Sequence, residues 1–279
     1  MNRAAFYAEL RKASSGVFGK SLSKSQVAAM EEILNAGEAL DNPSMAYVLA
    51  TGYHEAKMTP QRENLNYKTA AQIRKTWPSR FPTDASAVPF VRKPKSLANK
   101  VYNGRLGNRE TSDDGWTYRG GGLDQLTGRD NYRRLATLTG ADLVADPDLI
   151  LEPVMAVASL VHGMTTGRYR GHKLADYFQP GAVNFEGARQ IVNPDRHGAL
   201  VAGYARAFLD ALQISGRTPF RPSGAVTTPK AQTPPPMRRK PADKAVFATG
   251  IIALIATIGA GIGAKWVEVQ AWLSTLFGG

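Results

Sequence analysis

The sequence predicts a mainly α-helical protein with a membrane helix near its C-terminus. Apolar residues recur at helical spacing in successive segments of the first 213 residues, and nothing resembles alternating strands and helices. No internal repeat is visible. The hydrophobic content of 43% is sufficient for a core, and 279 residues can form one large domain or two small ones.

Composition excludes several kinds of chemistry. The chain has no cysteine, which removes disulfides, thiolate metal sites and cysteine nucleophiles. Its four histidines lack the paired spacing of zinc motifs, so we expect no metal ion. The net charge of +12 suits an anionic partner such as a cell wall, nucleic acid or an anionic lipid surface. No basic and aromatic nucleic-acid module is present, so we do not expect nucleic acid to be the partner.

Helices are expected from the first residues onward. Residues 1–40 carry two apolar stripes at helical spacing, and Ser23 can cap the second helix. We interpret both helices as scaffold. A third helix begins at Asn42 and ends near Glu55, because Gly52 weakens its last turn.

Two glutamates at the end of this third helix form a candidate catalytic pair. Glu55 shares a helical stripe with Val48, so apolar neighbours and the negative end of the helix dipole should disfavour its charged form. That environment suits a general acid. Glu63 follows in a polar loop beside Arg62, which should keep it ionised as a base or nucleophile. Glycoside hydrolysis needs such a pair, although the spacing alone also fits two solvated charges.

Residues 68–110 are predicted to form loops and short helices, the last of them at 94–102. The three consecutive glycines, 120–122, permit close backbone approach or positive φ, but they lack the frame of a nucleotide-binding loop. Residues 123–127 alternate briefly, as in a short strand, which would place Gln125 and Thr127 on one face. Amide and hydroxyl groups beside glycine backbone are suited to holding a sugar.

The remaining helices complete a domain that we place at residues 1–214. The further segments with helical periodicity are 129–139, 153–162, 184–192 and 197–213. Gly140 is the expected stop of the first of these. His162 lies at the polar end of the second, and we interpret it as a packing or capping residue.

The last 65 residues are predicted to form a linker and an anchor. Residues 215–243 are rich in Pro, Thr and basic residues, which is typical of a semi-rigid linker. Residues 244–279 form the anchor, because 245–264 carry no charge and can span a ~30 Å hydrocarbon core as a helix. Its glycines and the tryptophans of the following tail are typical of a membrane helix with an interfacial end. A buried core helix is the alternative.

Five motifs lie in order within about residues 20–212. They are Y-H-E-A, R-E-N-L-N-Y, V-Y-N-G-R-L-G-N, D-G-W-T-Y-R-G and L-x-Q-L-T-G-R-D-N-Y. Together they resemble glycoside hydrolase family 19, and its phage and bacterial endolysin branch more than the plant chitinases. The resemblance implies a lysozyme-like helical fold with a central cleft between two lobes. It also implies inverting hydrolysis of β-1,4 bonds, in peptidoglycan for endolysins and chitin for the plant enzymes, with no metal or organic cofactor.

The resemblance also assigns roles to individual residues. It implies that Glu55 is the general acid and that Glu63 is the base that activates water. The residues that it implies for substrate binding are His54, Tyr67, Tyr118, Arg119, Gln125, Thr127, Asn131 and Asn193.

Three departures from the family pattern bear on the site. Ala56, Lys57 and Met58 stand where the family usually has Ser/Thr-Gly-Gly, which should alter the loop between the two glutamates. Gly121 replaces an arginine, and Asp124 replaces an aliphatic residue. A lost guanidinium and an added carboxylate near the cleft are expected to change substrate choice or weaken activity.

The main hypothesis is a peptidoglycan hydrolase used in phage lysis or entry and held by a single-pass C-terminal anchor in a host or virion membrane. Its partners would be glycan strands, membrane lipid along residues 245–264, and a holin or virion components. The alternatives are a non-enzymatic phage structural or membrane-tethered protein that binds cell wall through a decayed site, and a chitinase. Basic residues before the anchor predict a cytoplasmic domain, so a pore, membrane disruption or a virion location must bring it to the wall.

Overall fold

The computed structural model describes residues 1–219 and is mainly α-helical, as predicted. Its α-helices are α1 (Arg3–Leu10), α2 (Lys24–Ala36), α3 (Asn42–Ala56), α4 (Ala70–Thr76), α5 (Asp84–Ala87), α6 (Pro94–Tyr102), α7 (Asp114–Thr117), α8 (Arg129–Thr139), α9 (Pro153–Thr166) and α10 (Gly198–Ile214). Short 3-10 helices lie at Ala13–Ser15, Val88–Phe90, Pro147–Leu151, Leu174–Asp176 and Gly187–Ile191. A small antiparallel hairpin pairs β1 (Phe178–Gln179) with β2 (Ala182–Val183).

The predicted membrane anchor at 244–279 and most of the predicted linker lie outside the described residues. Within residues 1–219, no helix is both long enough and apolar enough to cross a membrane.

Side-chain caps and one glycine fix several helix ends. Ser23 and Gln26 form a capping box at the start of α2, with hydrogen bonds of 3.1 and 2.9 Å. Asp41 caps α3 by accepting from the Ser44 amide at 2.7 Å, and it directly precedes Asn42, the predicted start of this helix. Gly140 has a φ of 70° and ends α8 as predicted. Local signals therefore placed these elements correctly.

α3 is the central helix of the larger apolar core. Every residue from Ser44 to Gly52 is buried, so the helix is enclosed on all sides. It packs most extensively against α10 and also against α2 and α9. This burial fixes the position of its last turn, which carries Glu55.

A second, smaller core lies in residues 65–101. Its buried members are Leu65, Ile73, Phe81, Ala87, Leu97, Ala98 and Val101. Partly buried aromatic rings, such as Tyr67 and Trp77 with centroids 5.4 Å apart, pack around it. We call residues 64–117 the small lobe and the rest of residues 1–217 the helical body. A further buried cluster surrounds α8 and includes Tyr132, Leu135 and Ile150. A small lobe with a core of its own is consistent with the lysozyme-like arrangement that the resemblance implies.

The strand predicted at 123–127 is wrong. Gln125 has a φ of 55°, which no regular strand accommodates, and the local pairing is a single bridge between Gly121 and Leu126. The segment is therefore a tight turn. Alternation over five residues did not reveal the reversal of the chain.

The folded domain continues past the predicted boundary at residue 214. Arg217 is buried, and its guanidinium donates at 3.0 Å to the carbonyl oxygens of Gly37, Glu38 and Leu40. It also donates to Asn42 Oδ1 at 2.7 Å. These carbonyls follow the end of α2, where helical partners are lacking, so Arg217 satisfies them and holds the chain to the helical body.

Candidate active site

α3 ends in a left-handed turn directly after Glu55. Lys57 and Met58 have φ values of 50° and 58°, a conformation that glycine adopts without steric cost. These are the two positions at which the resemblance implies glycines. The chain therefore keeps a left-handed turn there with two ordinary residues, at a cost of about 1–2 kcal/mol each.

Side-chain contacts hold this turn in place. The Lys57 ammonium lies 4.2 Å from the centre of the Tyr53 ring, a cation–π contact. Gln26 donates to the Lys57 carbonyl oxygen at 3.1 Å, and the Met58 side chain is fully buried. These contacts offset the backbone strain and fix the course of the loop toward Glu63.

Glu55 belongs to an ion-paired cluster. Its Oε1 accepts from Arg189 Nη1 at 2.7 Å, and the side chains of Glu55 and Arg189 are 22% and 4% exposed. The apolar surrounding predicted for Glu55 is therefore wrong, because α3 brings it against a guanidinium. A buried arginine of this kind needs a charged partner.

Arg189 bridges Glu55 to a second carboxylate. Its Nε and Nη2 donate to Asp195 Oδ1 and Oδ2 at 3.0 and 2.8 Å, a two-bond fork. The Arg189 hydrogen bonds hold the pKa of Asp195 well below its usual range. The His197 amide also donates to Asp195 Oδ1, at 2.9 Å. The arginine that contacts Glu55 is thus fixed in position from its other side.

The groups that hydrogen-bond to Glu63 are neutral. The Tyr102 hydroxyl lies 2.9 Å from each carboxylate oxygen, and the Glu63 amide donates to the Gly120 carbonyl oxygen at 2.8 Å. Burial raises the pKa of Glu63, while the Tyr102 hydrogen bond opposes that rise. Glu63 is therefore a stronger base than an exposed glutamate.

Arg62 does not pair with Glu63, contrary to the prediction. Its Nε and Nη2 donate to Asp148 Oδ1 at 3.0 and 2.7 Å. Its Nη1 donates to the Tyr132 hydroxyl at 2.5 Å and to the Arg119 carbonyl oxygen at 3.2 Å. Adjacent side chains of an extended segment point in different directions, so Arg62 points away from Glu63. Its hydrogen bonds fix the loop to Asp148 and Tyr132.

The glycine run lies against the loop that carries Glu63. The Gln61 amide donates to the Gly122 carbonyl oxygen at 3.3 Å, beside the bond between Glu63 and Gly120. A Cβ on Gly120 would lie 2.8 Å from Gln125 Oε1 and 3.2 Å from Glu63 Cβ. Close approach of two backbone segments therefore explains the glycines, as predicted.

Gly121 also leaves room for a guanidinium. A Cβ there would lie 2.7 Å from Ile150 Cγ2 and 3.0 Å from Arg62 Nη1. Arg62 thus brings a guanidinium beside the position at which the resemblance implies an arginine. The departure at Gly121 does not remove positive charge from this side of the loop.

Asp124 is not a cleft residue, contrary to expectation. Its side chain is fully buried, and its Oδ2 accepts from Ser159 Oγ and Tyr169 Oη at 2.7 Å each. Arg168 Nη2 donates to the same oxygen at 3.1 Å. Gly163 makes the space for Tyr169, because a Cβ there would lie 2.3 Å from that ring. Asp124 anchors the turn before Gln125 and does not add charge to the site.

Gln125, Thr127 and Asn131 are joined by hydrogen bonds from this turn into the first turn of α8. Gln125 Nε2 donates to the Gln61 carbonyl oxygen at 3.2 Å, which ties the turn to the loop of Glu63. Thr127 Oγ1 donates to the Gln125 carbonyl oxygen at 2.9 Å. Asn131 Nδ2 donates to the Thr127 carbonyl oxygen at 2.7 Å. The structure thus groups these three, although they share no strand face, and Gln125 connects the group to the loop that carries Glu63.

Tyr118 and Arg119 have different surroundings. Tyr118 is 5% exposed, donates to the Val144 carbonyl oxygen at 3.0 Å and packs against Tyr132, so it is a core residue and does not line a cleft. Arg119 stacks its guanidinium 3.6 Å from the centre of the Trp116 ring. Its charge helps to lower the pKa of Glu63 against the effect of burial.

Of the other three predicted residues, two lie near the cluster of Glu55 and one lies in the small lobe. His54 lies near the ion-paired cluster, with its ring centroid 5.4 Å from that of His197, and burial lowers the pKa of His54. Asn193 Nδ2 donates to Asp195 Oδ2 at 3.3 Å, so it also belongs there. Tyr67 packs in the small lobe against Trp77.

Sequence reasoning missed Arg189, Asp195 and Tyr102. Arg189 lies 134 residues from Glu55 in a short 3-10 helix, and no periodicity marks it. One sequence signal could have pointed to Arg189, because its charge lies between the apolar residues Ala188 and Ile191. An arginine buried among apolar residues needs a charged partner. Tyr102 belongs to the V-Y-N-G-R-L-G-N motif, but the resemblance gave it no role in the site.

Comparison with known proteins supports the resemblance over part of the chain. The chain is 39% identical over 98 residues to a protein of Haemophilus influenzae described as a glycosyl hydrolase family 19 domain-containing protein. The matched region is 35% of this chain and 48% of that protein, so the chain spans about half the length of the curated relative. No family model matches the chain. This likeness, with the mainly helical fold, supports glycoside hydrolase family 19 at the level of the family.

Proposed function

We propose that this protein is a glycoside hydrolase that cleaves β-1,4 bonds of cell-wall peptidoglycan, with Glu55 and Glu63 as its acid and base. The observation that carries this is the contrast between the two carboxylates. Glu55 is ion-paired with Arg189, and Glu63 is half-buried beside the Tyr102 hydroxyl. The family 19 likeness suggests a glycan substrate, chitin or peptidoglycan.

The two environments bear differently on proton transfer. The Arg189 salt bridge favours the ionised form of Glu55, so Glu55 gives a proton to the glycosidic oxygen only in molecules in which it has been protonated, and Arg189 then stabilises the carboxylate that is left. Glu63 has a raised pKa and can take a proton from a water that attacks the opposite face of the sugar. The product would then have inverted configuration at the anomeric carbon.

Charge favours peptidoglycan over chitin. The small lobe contains ten Lys and Arg residues against four Asp and Glu, a net charge of +6, and all ten cations are exposed. The remaining residues up to 214 contain 17 basic and 17 acidic residues. Peptidoglycan carries peptide carboxylates, whereas chitin is uncharged. A basic lobe beside the catalytic loop would concentrate the anionic polymer.

The proposed membrane location and biological role depend on the C-terminal segment. Residues 244–279 would anchor the protein in a host or virion membrane, and the enzyme would act on the bacterial envelope in phage lysis or entry. A holin or virion components would be its partners. Recovery of the full chain in the membrane fraction, and of residues 1–243 in the soluble fraction, is the expected result.

The test of the activity is mass spectrometry of soluble products from purified peptidoglycan, compared with chitin oligomers. The full chain should release muropeptides with new reducing ends and turn over chitin oligomers far more slowly. Glu55→Gln should release none, and Glu110→Gln, an exposed glutamate of the small lobe, should behave as the full chain does. Faster turnover of chitin would make the protein a chitinase. Absence of products from a folded protein that binds the wall would favour the non-enzymatic alternative.

A further inference from the structure

His54, Asp195 and His197 meet at the end of α3. Each offers one ligand atom, and these atoms all lie within 4.8 Å of one another. His54 comes from the last turn of α3, and the other two precede α10, so 141 residues separate the first two members. No spacing in the sequence could have revealed this grouping.

We propose that these three side chains bind a divalent transition-metal ion of the zinc class. Ligand atoms 2.0–2.2 Å from a tetrahedral zinc lie about 3.3–3.6 Å from one another, so closure by roughly 1 Å completes the geometry. Two imidazoles and one carboxylate suit zinc, cobalt or nickel, whereas magnesium and calcium prefer oxygen ligands alone. Three protein ligands leave a fourth position for water.

The net charge and the hydrogen bonds of the cluster favour the binding of a cation. Glu55 and Asp195 bring two negative charges against the one positive charge of Arg189, so the group has a net negative charge. Asp195 is held by the Arg189 fork and by the His197 amide, and supporting hydrogen bonds of this kind orient metal-ligating carboxylates.

The two ligands of the loop are close to each other, and their side chains are partly exposed. His197 Nδ1 lies 3.1 Å from Asp195 Oδ2, and the side chains of His197 and Asp195 are 41% and 27% exposed. The Nδ1 atom of His197 itself is buried. The ring centroid of His54 lies 5.4 Å from that of His197.

Metal binding is expected to inhibit hydrolysis, a consequence that rests on the proposed function. An ion bound to Asp195 would share the negative charge that now meets Arg189, and so it would weaken the Arg189 fork while Asp195 still serves as a ligand. A weakened fork releases Arg189, which contacts Glu55 at 2.7 Å. Zinc would therefore disturb the partner of the proposed acid without touching Glu63.

Binding is tested by calorimetry of the metal-free full chain with zinc chloride, and by the visible absorption of the cobalt complex. We expect one zinc per chain, no competition from magnesium, and affinity reduced by about tenfold or more in His197→Ala and in His54→Ala. The matched control is His172→Ala, which removes an exposed histidine that bonds to Tyr177 at 3.0 Å. It should bind as the full chain does, and circular dichroism should show all variants folded.

Unchanged zinc affinity in His197→Ala, or no stoichiometric binding by the full chain, would overturn the site. Peptidoglycan turnover tests the coupling separately. Zinc should slow the full chain and spare His197→Ala, and a chelator should restore the rate. Zinc binding without a change in rate would overturn the inhibition alone. Zinc binding by a protein with no turnover at all would support the site while the proposed function fails.

Discussion

The two halves of the candidate site place the same side chain in unlike surroundings. At the end of α3, Glu55 is one member of a charged chain that runs through Arg189 to Asp195. Seven residues intervene before Glu63, whose partners are a neutral hydroxyl and glycine backbone. Neighbours fixed by the fold thus decide whether a glutamate is better suited to release a proton or to take one up.

The carboxylate of Asp124 shows that burial alone does not make an acidic residue part of the candidate site. Asp124 is more buried than either glutamate, yet it accepts hydrogen bonds from Ser159, Arg168 and Tyr169 and is enclosed by the helical body. Its partners make it structural. Glu55 differs from it because its side chain is 22% exposed, whereas the side chain of Asp124 is fully buried. Glu63 differs because its hydrogen bonds come from a single neutral side chain, that of Tyr102.

The largest expected effect comes from removing the charge of either glutamate. Glu55→Gln and Glu63→Gln keep the shape of the side chain but lose proton transfer, and turnover should fall about 10²–10⁴-fold. Release of new reducing ends from peptidoglycan measures this. Asp124→Asn is the matched carboxylate outside the site and should keep most of the turnover per folded molecule. Equal losses of turnover in all three variants would contradict the distinction between the two catalytic candidates and the structural Asp124.

Asp124→Leu should destabilise the fold while sparing the chemistry. It leaves the 13%-exposed Arg168 without its anion, and breaking a buried ion pair from one side costs about 3–5 kcal/mol of unfolding free energy. Urea denaturation measures this loss. The double variant Asp124→Leu/Arg168→Met removes the stranded charge as well and should recover part of the stability. A stable single variant with no turnover would instead place Asp124 in the site.

Arg189→Lys should weaken turnover more than stability. Lysine keeps the positive charge but cannot form the fork to Asp195 and reach Glu55 at once. We expect a fall in turnover of about tenfold and a loss of about 1 kcal/mol, the scale of one hydrogen bond. Arg119→Lys, which changes an arginine beside the other glutamate, is the comparison. Full turnover in Arg189→Lys would show that the fork is dispensable.

Tyr102→Phe should shift the pH dependence of turnover. The Tyr102 hydrogen bond favours ionised Glu63, so its loss raises the pKa of Glu63 further. A base must be ionised, and the acidic limb of the kcat/KM profile should therefore move to higher pH. Tyr67→Phe leaves the Tyr102 bonds in place and should not move that limb. A shift to lower pH would contradict the proposed role of Glu63.

The smallest effect is expected at the left-handed turn. Lys57→Gly relieves backbone strain of about 1–2 kcal/mol but loses the contact with Tyr53 and adds freedom to the unfolded chain. The free energy of unfolding should change by less than about 1 kcal/mol. Lys57→Ala keeps the strain and loses the contact, so it should be the less stable of the two. The reverse order would mean that strain at Lys57 is negligible.

The sequence predicted the helices well where local signals act. The Ser23 cap, the helix at 94–102 and the Gly140 stop all rest on residues within one turn of the element that they define. The motifs likewise identified Glu55 and Glu63 as candidates. These inferences need no knowledge of how distant segments meet.

Partners across the fold could not be predicted in this way. The surroundings of Glu55 depend on Arg189, which lies 134 residues away, and those of Asp124 depend on α9 and the segment that follows it. Adjacency in sequence did not predict the partner of Arg62, which is Asp148 and not the neighbouring Glu63. Charged side chains choose partners by packing geometry, which one sequence does not contain.

The most direct measurement is the titration of Glu63 by carbon NMR of the glutamate-labelled full chain, with Glu63→Gln used to assign its carboxyl signal. The account predicts a pKa for Glu63 above the usual range of a glutamate, because burial outweighs the Tyr102 hydrogen bond. A pKa at or below that range would show that burial does not dominate at Glu63 and would contradict the contrast between the two glutamates.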